Sequence, residues 1–481
     1  MKIAMVASEA NPLVKTGGLA DVVYALTAEL NKGKNEVFII LPYYRIIKEK
    51  ALTLPEYLGQ YHVDVSWRHI EVNVYKTVAN GITYYLLDNE RYFSRANIYG
   101  EFDDGERFAY FTFAARALFS YINYIPDVIH CHDWQVGMLP CLVREDKHPD
   151  NPLKNTKFVF TIHNPAFQGM YDKGLISDMY GLSMELFDNG ALRFKDSFST
   201  LKAGIVYSDK ITTVSPTHKN ELLTIEESMG LDGVLKLREN DFVGILNGLD
   251  FEEFNPHKDS YLYAEYNGVN FLKGKAINKE QLFKDLNIEN KGKPLFGLVS
   301  RLTWQKGMEL VFAACYDLAK NGCNIVILGS GEYQYEQMAE HLRATFPENV
   351  AIYIGYSNEL AHQIYAACDF FLMPSLFEPC GLGQLIAMRY GALPIVRRTG
   401  GLRDSVDIYN GYNEETSTGF GFDAYSAYEM VRTCWYAYDN YWNLPLRKKL
   451  VRNAMKADFS WKRSAKEYLK IYKELTSKGG N

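Results

Sequence analysis

The chain has 481 residues, too many for one hydrophobic core of ordinary size, so two large domains are expected. Apolar residues make up 47% and charged residues 23%, a globular balance that excludes a disordered or fibrous chain. With 52 basic and 58 acidic side chains the formal net charge is −6, which argues against a nucleic-acid-binding face and fits a neutral or small anionic substrate in a local basic pocket.

No window is apolar for long enough to span a bilayer, and the first apolar run, residues 3–6, is too short for a signal segment and soon meets Glu9. The seven cysteines are odd in number and contain no C-x-x-C pair, so they read as reduced thiols. A cytoplasmic protein is the expectation, with neither nucleic acid nor membrane as a partner. The 35 tyrosines suit either sugar stacking or core packing, and composition does not choose between them.

In chain order, a strand over residues 3–7 leads into Lys15-Thr16-Gly17-Gly18-Leu19-Ala20-Asp21-Val22. Val22, Val23, Ala25, Leu26 and Leu30 then fall at helical spacing. Strand, glycine loop and helix in that order expose free N–H groups at the positive end of a helix dipole, an anion site to which Lys15 adds a mobile charge. The alternative is an ordinary tight turn whose glycines relieve backbone strain. Further strands are expected at 36–41, 128–131, 158–162, 211–214 and 243–246, and a hairpin at 69–75 and 83–87 around Asn80-Gly81. His130-Cys131-His132-Asp133-Trp134 and His163-Asn164 stand at two of these strand ends and would form a polar, hydroxyl-binding wall with a stacking surface. His130 and His132 could face one side, but no further ligands follow at zinc-like spacing, so no metal is expected.

The polar stretch 250–293, with Asn255-Pro256 and Lys291-Gly292-Lys293-Pro294, reads as a connector between two lobes. Beyond it strands are expected at 295–299, 324–328, 351–354, 370–373 and 393–396, with a helix over 308–320. Alternating strands and helices of this kind build parallel sheets of βαβ units. Gly329-Ser330-Gly331 is a weak dinucleotide signal, since Gln334 stands where a third glycine is needed. Arg301 and Lys306 follow the first strand of this series beside a helix N-terminus, where two cations suit a diphosphate; the plainer alternative is solvated surface charge. Glu378-Pro379-Cys380-Gly381-Leu382-Gly383 follows the strand at 370–373. A carboxylate there could hold sugar hydroxyls or developing positive charge, or merely compensate a helix N-terminus. Arg398-Thr399-Gly400-Gly401-Leu402 then repeats the first glycine motif.

These motifs, with Asn247-Gly248-Leu249-Asp250, Gly355-Tyr356 and Arg389-Tyr390-Gly391, resemble those of the bacterial glycogen synthases and plant starch synthases, in the family's order along the whole chain. The resemblance implies a GT-B fold, an α/β architecture of two Rossmann-like domains facing each other across a deep cleft. Residues 1–250 would form the N-terminal, acceptor-side domain, with a helix at about 460–481 packing back on it, and residues 251–459 the nucleotide-sugar-binding domain. It further implies retaining transfer of glucose from ADP-glucose to the non-reducing end of an α-1,4-glucan, glycogen or a malto-oligosaccharide, without metal or other cofactor. Catalytic roles would fall on Glu378, His163, Asp133, Arg301 and Lys306. Substrate binding would fall on Lys15, Gly17, Gly18, Asp21, Asn164, Asn247, Tyr356, Cys380, Gly381, Leu382 and Gly383. Alternatives are a UDP-glucose-dependent glucosyltransferase, a glucan phosphorylase and a non-catalytic glycan-binding protein.

Overall fold

The computed structural model describes residues 1–477. The chain divides into two compact units: Met1–Gly248 joined by the segment from Trp461 onward, and Leu249–Ser460. Each has its own apolar core.

The first unit is built on a nine-stranded sheet. Its strands are β1 (Lys2–Val6), β2 (Glu36–Pro42), β3 (Glu56–Val65), β4 (Arg68–Ala79), β5 (Ile82–Asp88), β6 (Val128–His132), β7 (Lys157–Ile162), β8 (Lys210–Thr213) and β9 (Phe242–Gly244). Their spatial order is β9-β8-β7-β6-β1-β2-β5-β4-β3. β1 pairs parallel with β2 on one side and β6 on the other, so the winding direction reverses between β1 and β6. β6 is buried along its whole length, as a parallel strand covered on both faces should be. At the β4–β5 turn Asn80 and Gly81 have φ of 50° and 77°, the left-handed pair that a two-residue hairpin of this hand needs. β3, absent from the expected set, is an edge strand with only Val63 and Val65 buried, pairing antiparallel with β4.

The second unit carries β10 (Leu295–Val299), β11 (Asn324–Gly329), β12 (Val350–Ile354), β13 (Phe370–Met373), β14 (Leu393–Arg397) and β15 (Phe420–Phe422). They form one parallel sheet in the order β12-β11-β10-β13-β14-β15, reversing between β10 and β13. Both sheets are doubly wound. Ligands of such sheets bind beyond the strand carboxyl ends at the reversal point.

Residues 250–293 are not a connector. They belong to the second unit and contain a helix, Phe271–Asp285, whose Phe271, Leu282 and Phe283 are buried. Two of the lysines that give the stretch its polar composition turn inward. Lys275 Nζ donates to the carbonyls of Ala366 at 2.9 Å and Tyr390 at 3.1 Å, and Lys279 pairs with Asp369. Burial pushes the Lys275 ammonium down to about 8. Asp259 accepts from the Tyr390 hydroxyl at 2.5 Å and pairs with His362 at 2.7 Å, which pins the segment to the helix Asn358–Ala367 and the end of the helix Gly383–Arg389.

The last helix, Trp461–Ser477, packs in the first unit. Trp461, Tyr468, Ile471 and Tyr472 join its core, Ser464 Oγ donates to the Leu246 carbonyl at 2.6 Å, and the Tyr472 hydroxyl lies 2.7 Å from His130 Nδ1. Among the described residues no helix is long and apolar enough to cross a membrane.

Candidate active site

In the first unit, β1 opens into the loop bearing Lys15, Thr16, Gly17 and Gly18, all exposed. Glu9, which the motif reading passed over, organises this loop. It is buried, and its carboxylate accepts from Thr16 Oγ1 at 2.7 Å, Gly17 N at 3.3 Å, the Tyr99 hydroxyl at 2.7 Å and the Thr16 amide. Its signal in the sequence is only an acid between a strand and a glycine loop. Asp21, in the first turn of the helix Gly18–Asn31, accepts from Lys15 Nζ at 2.8 Å and from Asn11 Nδ2. Burial raises its carboxyl pKa, and Lys15 and Asn11 oppose that rise.

The two glycine motifs are alike in sequence and different in cause. At Gly401 an added Cβ would lie 2.2 Å from the Cys380 carbonyl oxygen, so glycine there is demanded by the protein itself. At Gly17 and Gly18 an added Cβ would meet nothing within 4 Å, and Gly17 has an ordinary extended φ of −152°. Neither packing nor backbone requires the first pair, so the space they leave suits a ligand drawn close to the main chain. Gly18→Ala is expected to hold or raise the melting temperature, because a helical glycine costs about 0.5–1 kcal/mol relative to alanine. Transfer activity should nonetheless fall about tenfold or more through ligand displacement. Gly401→Ala should instead destabilise the fold by about 1–3 kcal/mol through overpacking. Paired thermal melts and activity assays check both.

At the carboxyl end of β6, Asp133 holds φ of 61° with ψ of −178°, a region other residues than glycine rarely enter and one that costs about 1–3 kcal/mol. Its amide donates to the Thr161 carbonyl at 3.0 Å, and its Oδ1 accepts from the His163 amide at 2.7 Å. Burial pushes its carboxyl up to about 7, against the His163 and Asn164 amides that favour the anion. The unfolded chain therefore loses this proton first, near pH 4, and the folded chain near 7. Stability falls as pH rises through that window and levels off above it. Asp133→Asn should be more stable than the parent at pH 8, by more than about 1 kcal/mol given about 1.4 kcal/mol per pH unit, with the gap closing towards pH 4. Denaturant melts at the two pH values measure it.

His132 Nδ1 stands 3.0 Å from His163 Nε2, and both ring nitrogens of His130 are taken, by Tyr472 at 2.7 Å and by Thr161 Oγ1 at 2.6 Å. Asn164 Oδ1 accepts from the Ala166 amide at 3.0 Å. Asn247, beyond β9, is buried with its Oδ1 unpartnered among the described residues. No group of three or more His, Cys, Asp or Glu side chains among those residues could hold a metal ion.

In the second unit the reversal point lies between β10 and β13, and the loops after those strands meet on Glu378. This carboxylate is buried, and its Oε2 accepts from Lys306 Nζ at 2.5 Å and Ser375 Oγ at 3.0 Å. Its main-chain oxygen accepts from the Gly401 amide at 3.0 Å, which ties in the loop after β14. Gly307, at φ 71°, lets the loops close on each other: an added Cβ would lie 2.3 Å from the Pro374 carbonyl. Arg301 follows β10, exposed, and its guanidinium has no hydrogen bond or ion pair among the described residues. Tyr356, after β12, is 84% exposed. Cys380 is buried, while Gly381, Leu382 and Gly383 lie half-buried where the helix Gly383–Arg389 begins. All seven cysteines are buried thiols without a disulfide.

Direct contacts thus join Lys15 to Asp21, Asp133 to His163, and Lys306 to Glu378. Each pair sits at a strand's carboxyl end, and each combines a charge with a neighbour able to bind hydroxyl or phosphate oxygen.

The family model described as the starch synthase catalytic domain matches residues 2–237, and that of group 1 glycosyl transferases matches residues 278–457. The chain is 44% identical over 478 residues to a glycogen synthase of Clostridium beijerinckii, covering 99% of each. It is 43% identical over 481 residues to that of Anoxybacillus flavithermus, covering 100% of this chain and 99% of the relative. Among solved structures, the catalytic domain of starch synthase IV from Arabidopsis thaliana, bound to ADP and acarbose, superposes with a TM-score of 0.91 at 33% identity over 99% of each chain. A sucrose-phosphate synthase of Thermosynechococcus elongatus, at 18% identity and a TM-score of 0.61 over 99% of each chain, shares the fold. Two doubly wound Rossmann-like units of this kind are the GT-B architecture, and the chain belongs to the glycogen synthase family of glycosyltransferases.

Proposed function

We propose that this enzyme moves glucose from ADP-glucose to the non-reducing end of an α-1,4-glucan with retention of configuration. The observation that carries the reading is the buried Glu378 carboxylate held by Lys306 at the second unit's reversal point, with the Arg301 guanidinium shortly before Lys306 in sequence and unpartnered among the described residues. The choice of donor and acceptor draws support from the Arabidopsis relative, whose structure holds ADP and acarbose.

On this reading the anomeric C–O bond breaks and its electron pair leaves with the diphosphate. Arg301, Lys306 and Lys15 stabilise the charge that develops there, each worth a few kcal/mol in a preorganised site. Main-chain amides at Gly18, and at Gly381, Leu382 and Gly383 beside Cys380, receive phosphate oxygens, and Gly17, without a side chain, leaves room for their approach. Tyr356 lies along the base. Glu378 faces the oxocarbenium-like sugar, and Asp21, Asp133, His163, Asn164 and Asn247 take its hydroxyls. The acceptor's hydroxyl attacks from the face the phosphate leaves, its proton passing to a departing phosphate oxygen, and the new bond keeps the α configuration.

A radiolabelled transfer assay on a glycogen primer, with ADP-glucose and UDP-glucose in parallel, tests this. Incorporation from ADP-glucose should exceed that from UDP-glucose by about tenfold or more, the value of one good base-recognition contact. Equal or faster transfer from UDP-glucose overturns the donor assignment.

A further inference from the structure

His132 is wholly buried, and among the described residues its ring has one polar partner, His163 Nε2, at 3.0 Å from Nδ1. Its own Nε2 has no hydrogen-bond partner among the described residues. The neighbouring ring of His130, 4.1 Å away between centroids, has nothing to offer, because Tyr472 and Thr161 occupy both its nitrogens.

Two neutral imidazoles joined by one hydrogen bond have two arrangements. If His163 Nε2–H donates, His132 must carry its proton on Nε2, a buried N–H with no acceptor. If His132 Nδ1–H donates, only a bare lone pair is left at its Nε2. Orphaned buried N–H groups are rarer than under-satisfied acceptors, so the second arrangement is favoured. It leaves the proton of His163 on Nδ1, the nitrogen to which no described residue is bonded. We propose that His132 is a positioning residue that holds His163 in its Nδ1–H tautomer, so that His163 meets an oxygen of the bound sugar as a hydrogen-bond donor. This rests on the reading of His163 as part of the sugar pocket.

Two further observations fit. The His163 amide is fixed by Asp133 Oδ1 at 2.7 Å, so the backbone is held and the ring's orientation and tautomer are what remain to be set. Burial lowers the pKa of His163 to about 3 and that of His132 well below its ordinary value, so both rings stay neutral and a tautomer, rather than a charge, is selected.

Nitrogen-15 NMR of the full-length enzyme labelled at histidine tests the proposal, with the His163 signals assigned by their loss in His163→Gln. A protonated Nδ1 and a bare Nε2 on His163 are expected; a protonated Nε2 overturns the proposal, and this measurement needs no variant of His132. His132→Asn sets an amide N–H near the place of Nδ1 and should keep both the tautomer and turnover. His132→Phe has no donor and should lose the tautomer, with kcat lower by about tenfold to a hundredfold and KM for ADP-glucose little changed. Equal loss in both variants at unchanged melting temperature also overturns it. If His163→Gln retains full turnover, the sugar-pocket reading of His163 fails, while the tautomer itself is still read from the NMR.

Discussion

Lys306→Ala is expected to lower kcat by about a hundredfold or more, the usual effect of deleting one preorganised charge from a site where charge develops. The same change strips Glu378 of its cation. Glu378 is 6% exposed, and apart from Lys306 its Oε2 has Ser375 Oγ at 3.0 Å. Breaking a buried pair from one side commonly costs about 3–5 kcal/mol, because the remaining charge is left desolvated. Lys306→Ala should therefore melt well below the parent. Adding Glu378→Gln removes the stranded charge and should recover much of that stability without recovering any turnover. Glu378→Gln alone should also lose about a hundredfold in kcat, with a smaller stability loss, since Lys306 can turn towards solvent. The four proteins of this cycle, assayed for glucosyl transfer and thermal unfolding, separate catalysis from folding. Turnover within threefold of the parent in Lys306→Ala would refute its role at the diphosphate.

Lys15→Ala should show the opposite balance. The Lys15–Asp21 pair is 2.8 Å long but its lysine side chain is 48% exposed, and exposed pairs contribute about 0–1 kcal/mol. The melting temperature should barely move, while kcat/KM for the donor falls about a hundredfold. Lys15→Arg keeps the charge but not its shape, and should fall between the two. A Lys15→Ala enzyme with normal kcat/KM removes this residue from the donor site, whatever its stability.

Most strands that the sequence disclosed are buried on both faces, while the half-exposed β4–β5 hairpin was legible from its Asn80-Gly81 turn. β10 and β13 and the helix Met308–Lys320 fall where their apolar runs place them, because a parallel strand covered by helices has no polar alternation to obscure it. β3 escaped because Glu56, Tyr57 and Gln60 face solvent on an edge, and its run looks like a loop with aromatics. The helix Phe271–Asp285 escaped for another reason. Its Lys275 and Lys279 find partners in the Tyr390 carbonyl and Asp369, about a hundred residues further on, and composition read locally assigns such residues to solvent.

The candidate site divides in the same way. Gly17, Arg301 and Glu378 were legible as residue types at strand ends. What joins them to their surroundings was not. The strained backbone of Asp133 and the Lys306–Glu378 contact depend on register or on chain reversal between distant strands, and the Glu9 anchor, local to its glycine loop, is completed by the distant Tyr99 hydroxyl. His132 is the clearest instance. In the sequence it pairs with His130 as a would-be metal ligand, whereas the parallel register that sets His132 against Thr161 delivers it to His163.

The helix Trp461–Ser477 has a consequence for biosynthesis. It supplies Tyr472 to His130 and Ser464 to the Leu246 carbonyl, so the Met1–Gly248 body lacks part of its interior until residues 461–477 have emerged from the ribosome. The intervening Leu249–Ser460 body is complete in sequence earlier, which reverses the usual order in which a nascent polypeptide matures. A messenger truncated just before Trp461 would release a product whose trailing half is whole and whose leading half is not.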